Sequence, residues 1–216
     1  MSAPVVQVET RGAVALITLN RPESGNALNL QVAMDLLAAA MTCARTTAVR
    51  AVVLTGAGRH FCFGGDLRAF GTRAPGGDDY IRELTTYLHA AISRFVRMDA
   101  PVIAAVNGTA AGAGVGLVAM ADLALCGRSS KFNLAYTQAG LTPDAGTTFL
   151  LPRTLGLKRT MELLLLNRSL IQQLSGTSIG PDKPILCQCP FPQSCQFNLR
   201  LQQLRFRPLM VRVPVT

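Results

Sequence analysis

Residues 101–116, PVIAAVNGTAAGAGVG, restrict the fold more than any other stretch of the chain. Residues 101–106 are apolar, rich in Val, Ile and Ala, and read as a buried strand. Asn107-Gly108 breaks that run. Four glycines then fall at 108, 112, 114 and 116, with small residues between them, and from about 113 to 121 the chain can be helical again. A strand, a glycine-rich turn and a helix start leave the backbone open to a ligand, because no Cβ stands in the way. The unpaired N–H groups at a helix start also suit an anionic atom. Three readings fit this turn. The first is close packing of helix on strand. The second is a dinucleotide site. Gly112, Gly114 and Gly116 form G-x-G-x-G, but the fingerprint needs glycine where Leu117 stands. No acidic residue follows at the end of a second strand about 20 residues on. The third is an oxyanion hole, which needs a second N–H from elsewhere in the chain.

Composition removes several classes of function. A chain of 216 residues can bury one substantial core. Hydrophobic content of 49% with 15% charged residues excludes a disordered chain. The net charge is +9 and the pI about 9.9, yet no dense basic run occurs and aromatics make up only 6%. Such charge serves solubility and mild attraction of anionic ligands, not nucleic-acid readout. No apolar stretch approaches the ~20 residues of a membrane span. MSAPVVQVET has neither the charged nor the apolar region of a secretory signal. Cysteines 43, 62, 126, 187, 189 and 195 follow no disulfide or zinc pattern, and His60 and His89 lie far upstream of the Cys187/Cys189 pair. The expectation is a reducing, cytoplasmic setting with no metal, no membrane and no nucleic-acid partner.

Taken in order, residues 5–9 and 14–19 read as an antiparallel hairpin around Thr10-Arg11-Gly12-Ala13. Asn29 can cap a helix with Leu30, Ala33, Met34, Leu37 and Met41 on its apolar face. Residues 51–55 read as a buried strand and 56–67, GAGRHFCFGGDL, as a second glycine-rich exit. Residues 71–79 read as a mobile loop. A long amphipathic helix over 80–96 carries Ile81, Leu84, Leu88, Ala91, Ile92 and Phe95 on one stripe. After the central turn come a strand at 122–126, a turn region at 129–133, a loop at 142–146 and a helix at 157–166. Strand, glycine turn, helix and strand recur twice, which argues for stacked α/β repeats.

Four segments carry a family resemblance: LNRPESGNAL, HFCFGGDL, PVIAAVNGTAAGAG and GLTPDAGTTFLLPR. In this order, over residues 5–170, they resemble the crotonase family, also called enoyl-CoA hydratase/isomerases. The resemblance implies an α/β spiral of ββα repeats, assembled as trimers or pairs of trimers. It implies an acyl-CoA or enoyl-CoA substrate in fatty acid metabolism, coenzyme A being part of that substrate and no separate cofactor being used. It places the two N–H donors for the thioester oxygen on Gly65 and Ala113. It lines the coenzyme A side with Phe63, Gly64, Gly65, Asp66 and Leu67, with Gly112, and with Ala27 in the Asn26–Leu28 segment. The residues agree with that implication: a thioester oxygen becomes anionic when the α-carbon loses a proton, and fixed N–H donors stabilise it. Asp66 also fits as a mere turn cap.

The hydratases of this family use two glutamates, and these align with Gly116 and Tyr136, neither of which is a carboxylate. What remains is Asp144, which fits either as a helix cap ahead of Thr147-Thr148 or as a proton shuttle of the isomerase kind. Aromatic-acyl dehalogenase members use an aspartate nucleophile with a partnering histidine and tryptophan. Here the chain has no Trp, Ser93 aligns with the histidine, and His89 lies one turn away. Gly176–Gly180 matches G-x-S-x-G, but Pro181 and Pro184 follow it and both histidines precede it, so it is no nucleophile elbow.

The resemblance stops after Leu170. Residues 171–216 are rich in Gln, Pro, Cys and Arg, and Asp182 is their one acidic residue. The division is thus a core over 1–170 and an irregular tail over 171–216, and it leaves a non-catalytic CoA-thioester binder as the alternative function. Limited proteolysis should leave a fragment ending near Leu170, because prolines and polarity give the tail little periodic apolar face. Uniform resistance through residue 216, read by mass spectrometry, would contradict this.

Overall fold

The computed structural model describes residues 3–71, 77–127 and 129–171. Strand β1, Val6–Arg11, runs antiparallel to β2, Val14–Leu19, with Val6 opposite Leu19 and Arg11 opposite Val14. The hairpin is longer than the sequence pattern suggests, and its turn contracts to Gly12-Ala13, with Gly12 at φ 61°. Ala15, Ile17 and Leu19 point into the core. Helix α1, Leu30–Arg45, begins as expected: the Asn29 side chain accepts the Val32 N–H at 3.0 Å. Its buried stripe is Val32, Ala33, Leu36, Ala39, Ala40 and Cys43, while Met34 faces solvent. The apolar face is therefore rotated from the expected one.

Strand β3, Ala51–Gly56, pairs parallel with β2. The chain then passes through a loop into α2, Leu67–Gly71, and α3, Gly77–Val96. The expected loop over 71–79 is shorter than that, since α3 already begins at Gly77; its residues 72–76 lie outside the described residues. On α3, Tyr80, Leu84, Leu88, Ala91, Ile92 and Phe95 are buried, and α3 lies along α1. Strand β4, Val102–Val106, pairs parallel with β3. It leads into β5, Thr109–Ala111, then α4, Ala113–Ala119, and β6, Leu123–Cys126, which pairs parallel with β4. Strand β7, Lys131–Asn133, stands where a turn is expected over 129–133. Helices α5, Thr147–Leu155, and α6, Leu157–Leu166, follow, and β8, Leu170–Ile171, closes the described chain. The tail over 172–216, with its G-x-S-x-G and its three cysteines, lies outside the described residues.

The large sheet has the order β1-β2-β3-β4-β6 and the small one β5-β7-β8. After the opening hairpin, the turns of the chain each add one strand to the large sheet, then a short segment at or beside the small one, then a helix. Cys62 serves as that short segment in its turn, bridging Ala110 of β5. This is the expected α/β spiral of strand–strand–helix repeats. The short strands have no legible alternation, since TAA and KFN become strands only by pairing with each other and with the next turn. Asn29→Ala should lower stability by about 1 kcal/mol, the usual worth of an N-cap, read as a lower urea midpoint with unchanged slope.

Candidate active site

Two glycine turns meet backbone to backbone at the ends of the central strands. Cys62 N–H donates to Thr109 O at 3.1 Å, and Ala111 N–H donates to Cys62 O at 2.8 Å. Gly64, at φ 84°, comes so near the second turn that a Cβ there would stand 2.8 Å from Ala111 O and 3.1 Å from Ala113 N. A Cβ on Gly114 would overlap the Cys62 carbonyl. Two of the sequence-derived glycines thus serve close packing and the site together. Leu28 N–H donates to Gly64 O at 2.7 Å and Asp66 N–H to Leu28 O at 2.9 Å, which turns the N–H of Gly65 away from Leu28. Gly112, at φ 50°, gives its N–H to Asn133 O at 2.9 Å and opens α4 at Ala113. Neither Gly65 N–H nor Ala113 N–H donates to a protein acceptor among the described residues. The structure therefore brings the two expected donors into neighbouring turns with both N–H groups unpaired.

The 20–28 loop supports this junction. Asn26, buried at φ 57°, donates through Nδ2 to Ala57 O and His60 O at 2.9 and 2.7 Å and accepts the Arg21 N–H at 2.9 Å. It is a clip between the loops, a role its place in the NAL motif does not show. Arg21 Nη1 donates to the carbonyl of buried Ala27 at 2.6 Å, and Nη2 to Asp66 Oδ2 at 3.0 Å. The other Asp66 oxygen takes the Ala69 N–H at 3.4 Å. The Asp66 carboxylate is thus tied to Arg21 and to the start of α2. Phe63 and Leu67 are 43% and 56% exposed and form an apolar rim. The Phe63 ring leans on His60 at 4.4 Å between centroids. Cys62 is buried, and burial pushes its thiol up to about 12. It is a packing group whose Sγ accepts the Gly64 N–H at 3.4 Å.

The third wall is the loop ahead of α5. Ala145, at φ 50°, packs against Gly116, where a Cβ would stand 2.7 Å from the Ala145 Cβ. Gly116 lies one turn beyond Ala113 on α4, so this contact brings Asp144 to the helix that carries the donor. The Asp144 side chain does not cap α5; its backbone carbonyl instead accepts Thr147 N–H and Oγ1–H at 2.9 and 2.7 Å. Its carboxylate accepts the Tyr136 hydroxyl at Oδ1, 2.9 Å, and lies 3.5 Å from His89 Nε2 at Oδ2. Ala145 N–H donates to the same His89 nitrogen at 3.2 Å. Tyr136 is buried, and burial, then the Asp144 charge and the hydrogen bond to it, raise its phenol well above the ordinary range. It stays a neutral donor at physiological pH. His89, and not the aligned Ser93, is the α3 residue that reaches Asp144. Alignment misses this because a helix offers positions one turn apart to the same wall.

Strand–strand–helix repeats wound into a spiral, with two glycine turns meeting beside a carboxylate, define the crotonase fold. The chain belongs to the enoyl-CoA hydratase/isomerase family, whose profile matches residues 9–173. It is 39% identical over 158 residues to 1,2-epoxyphenylacetyl-CoA isomerase of Escherichia coli K12, covering 73% of this chain and 60% of that one. It is 36% identical over 167 residues to 4-chlorobenzoyl coenzyme A dehalogenase-2 of Arthrobacter sp., covering 76% and 60%. Among solved structures, the enoyl-CoA hydratase from Polaromonas sp. JS666 superposes with a TM-score of 0.70 at 31% identity, covering 77% of this chain and 65% of that one. The chain therefore spans about three fifths of the length of the curated relatives it matches.

Gly116→Glu, which sets a carboxylate on α4 against Ala145, should destabilise the chain rather than create a hydratase. The side chain must displace Ala145, and overpacking of this kind costs about 1–3 kcal/mol. A lower melting temperature with no hydration of crotonyl-CoA, followed by absorbance, is the expected result.

Proposed function

We propose that this chain binds an acyl-CoA thioester and shifts the double bond of an enoyl-CoA, with Asp144 carrying the proton. The observation that supports this best is the Asp144 carboxylate, with no carboxylate beside it at positions 116 and 136. Of the two glutamate positions of the hydratases, one is filled by Gly116 beneath Ala145 and the other by Tyr136, whose hydroxyl is bound to Asp144. A single acid can take a proton from one carbon and return it to another, but it cannot also activate a water from the opposite side. In this reading the thioester oxygen rests on Gly65 N–H and Ala113 N–H. Each donor is worth roughly 3 kcal/mol once the oxygen becomes an enolate. Removal of the α-proton leaves its electron pair on that oxygen, and return of a proton at the γ-carbon moves the double bond.

Coenzyme A would arrive as part of the substrate and run along Ala27, Phe63, Gly64, Leu67 and Gly112, with Asp66 holding that wall through Arg21. Trimeric or hexameric assembly, a cytoplasmic location and a place in fatty acid metabolism belong to the same proposal and rest on family resemblance alone. A second reading has its own support in His89. A carboxylate beside an imidazole suits nucleophilic attack by Asp144 on an aromatic acyl-CoA, as the dehalogenase relative's name suggests.

Asp144→Asn tests the isomerase reading. It keeps the acceptor for Tyr136 but cannot take a proton at neutral pH. Binding of an acyl-CoA, followed by fluorescence, should change little. Exchange of its α-protons in deuterated water should fall by ~100-fold or more, the usual worth of a positioned general base. A wild-type chain that binds without any exchange is not an isomerase, and release of halide from a halobenzoyl-CoA then separates the nucleophile reading from a binder.

A further inference from the structure

His89 stands between the inner end of the site and solvent: its side chain is 48% exposed, against 29% for Asp144. Its Nε2 faces two groups at once, the Ala145 N–H at 3.2 Å and Asp144 Oδ2 at 3.5 Å. The first contact requires a lone pair on Nε2, which assigns the ring proton to Nδ1. A proton on Nε2 would remove that acceptor and create a donor beside Asp144. One nitrogen cannot serve both neighbours in one protonation state, so the ring has two bonding arrangements that differ by a single proton. Across the carboxylate, Tyr136 donates to Oδ1 and remains un-ionised because it is buried beside the Asp144 charge. Oδ1 is therefore the tied oxygen. Oδ2 is the one available to carry a proton, and it is also the one near His89. Nδ1 of His89 bonds no protein group among the described residues.

We propose that His89 is a proton relay between Asp144 and bulk water. The proposal rests on the reading of Asp144 as the base. The α C–H bond of the ligand breaks, its electron pair passes to the enolate, and the proton binds Oδ2. Transfer from Oδ2 to Nε2 restores the carboxylate and gives an imidazolium, and the half-exposed ring releases that Nε2 proton to water and returns to the Nδ1–H form that accepts Ala145 N–H. A solvent proton then enters at Nε2 and passes through Oδ2 to the γ-carbon, so the proton delivered there comes from water and is not the one taken from the α-carbon. His89 touches neither carbon. It acts through Asp144 and decides where the proton goes.

The test uses the full 216-residue chain with trans-3-hexenoyl-CoA in deuterium oxide, reading deuterium per molecule of 2-hexenoyl-CoA by mass spectrometry. The ratio is taken per product, so a change in overall rate does not alter it. Wild-type product should carry solvent deuterium. His89→Gln keeps an acceptor for Ala145 N–H but cannot relay a proton, and its product should carry less by ~10-fold or more. Imidazole added to His89→Ala should restore incorporation, which a purely structural role of the ring would not produce. Wild-type levels of deuterium in the His89→Gln product would overturn the relay and leave the Asp144 reading standing. A wild-type chain that neither isomerises nor exchanges would overturn both.

Discussion

Everything at the site depends on how closely two stretches of backbone approach each other. The loop after β3 and the turn after β5 are joined by the Cys62–Ala110 bridge, and Gly64 then lies against Ala111 and Ala113 with no space for a side chain. That contact joins two sheets, since Cys62 extends the small sheet while its own chain has just left the large one. The same contact leaves two N–H groups unpaired. Backbone donors in a packed junction are expensive to leave without acceptors, and they persist here because both belong to turns already determined by their neighbours. The packing reading and the oxyanion reading of the glycine turn are therefore compatible: close approach creates the donors.

The carboxylate is held by a different logic. Asp144 lies on a loop, yet its position is set by Ala145 seated on Gly116 and by the Tyr136 hydroxyl. The bare Gly116 and the Tyr136 phenol act together on this loop. The first opens space for the loop, and the second supplies a neutral donor for the acid that the loop carries. A glutamate at either position would compete with Asp144 for space or for charge. Gly116 and Tyr136 thus leave Asp144 as the carboxylate on this wall.

Much of this architecture was legible in the residues. The apolar runs at 51–55 and 101–106 became β3 and β4, the Asn29 cap bonds as its type predicts, and α6 spans Leu157–Leu166 as its periodicity requires. Strands β5 and β7 were not legible, because three-residue strands have too few alternating positions to show a period and exist only through their partners. The face of α1 was misplaced for a related reason. Hydrophobicity ranks Met34 above Ala39 and Ala40, but the close approach of α1 to α3 selects small residues.

By itself the sequence determined the repeat of strand, turn and helix, the glycines that close approach demands, and the lack of a glutamate at 116 and 136. These are local properties, carried by residue type and spacing along the chain. Only the tertiary structure decided that Asp66 belongs to Arg21, that Asn26 is a clip, and that His89 rather than Ser93 meets Asp144. Such pairings join residues 31 to 55 positions apart or, for His89 and Ser93, choose between two positions one helical turn apart. Which of them forms depends on the few ångströms by which packed elements are offset, and residue spacing does not encode that offset.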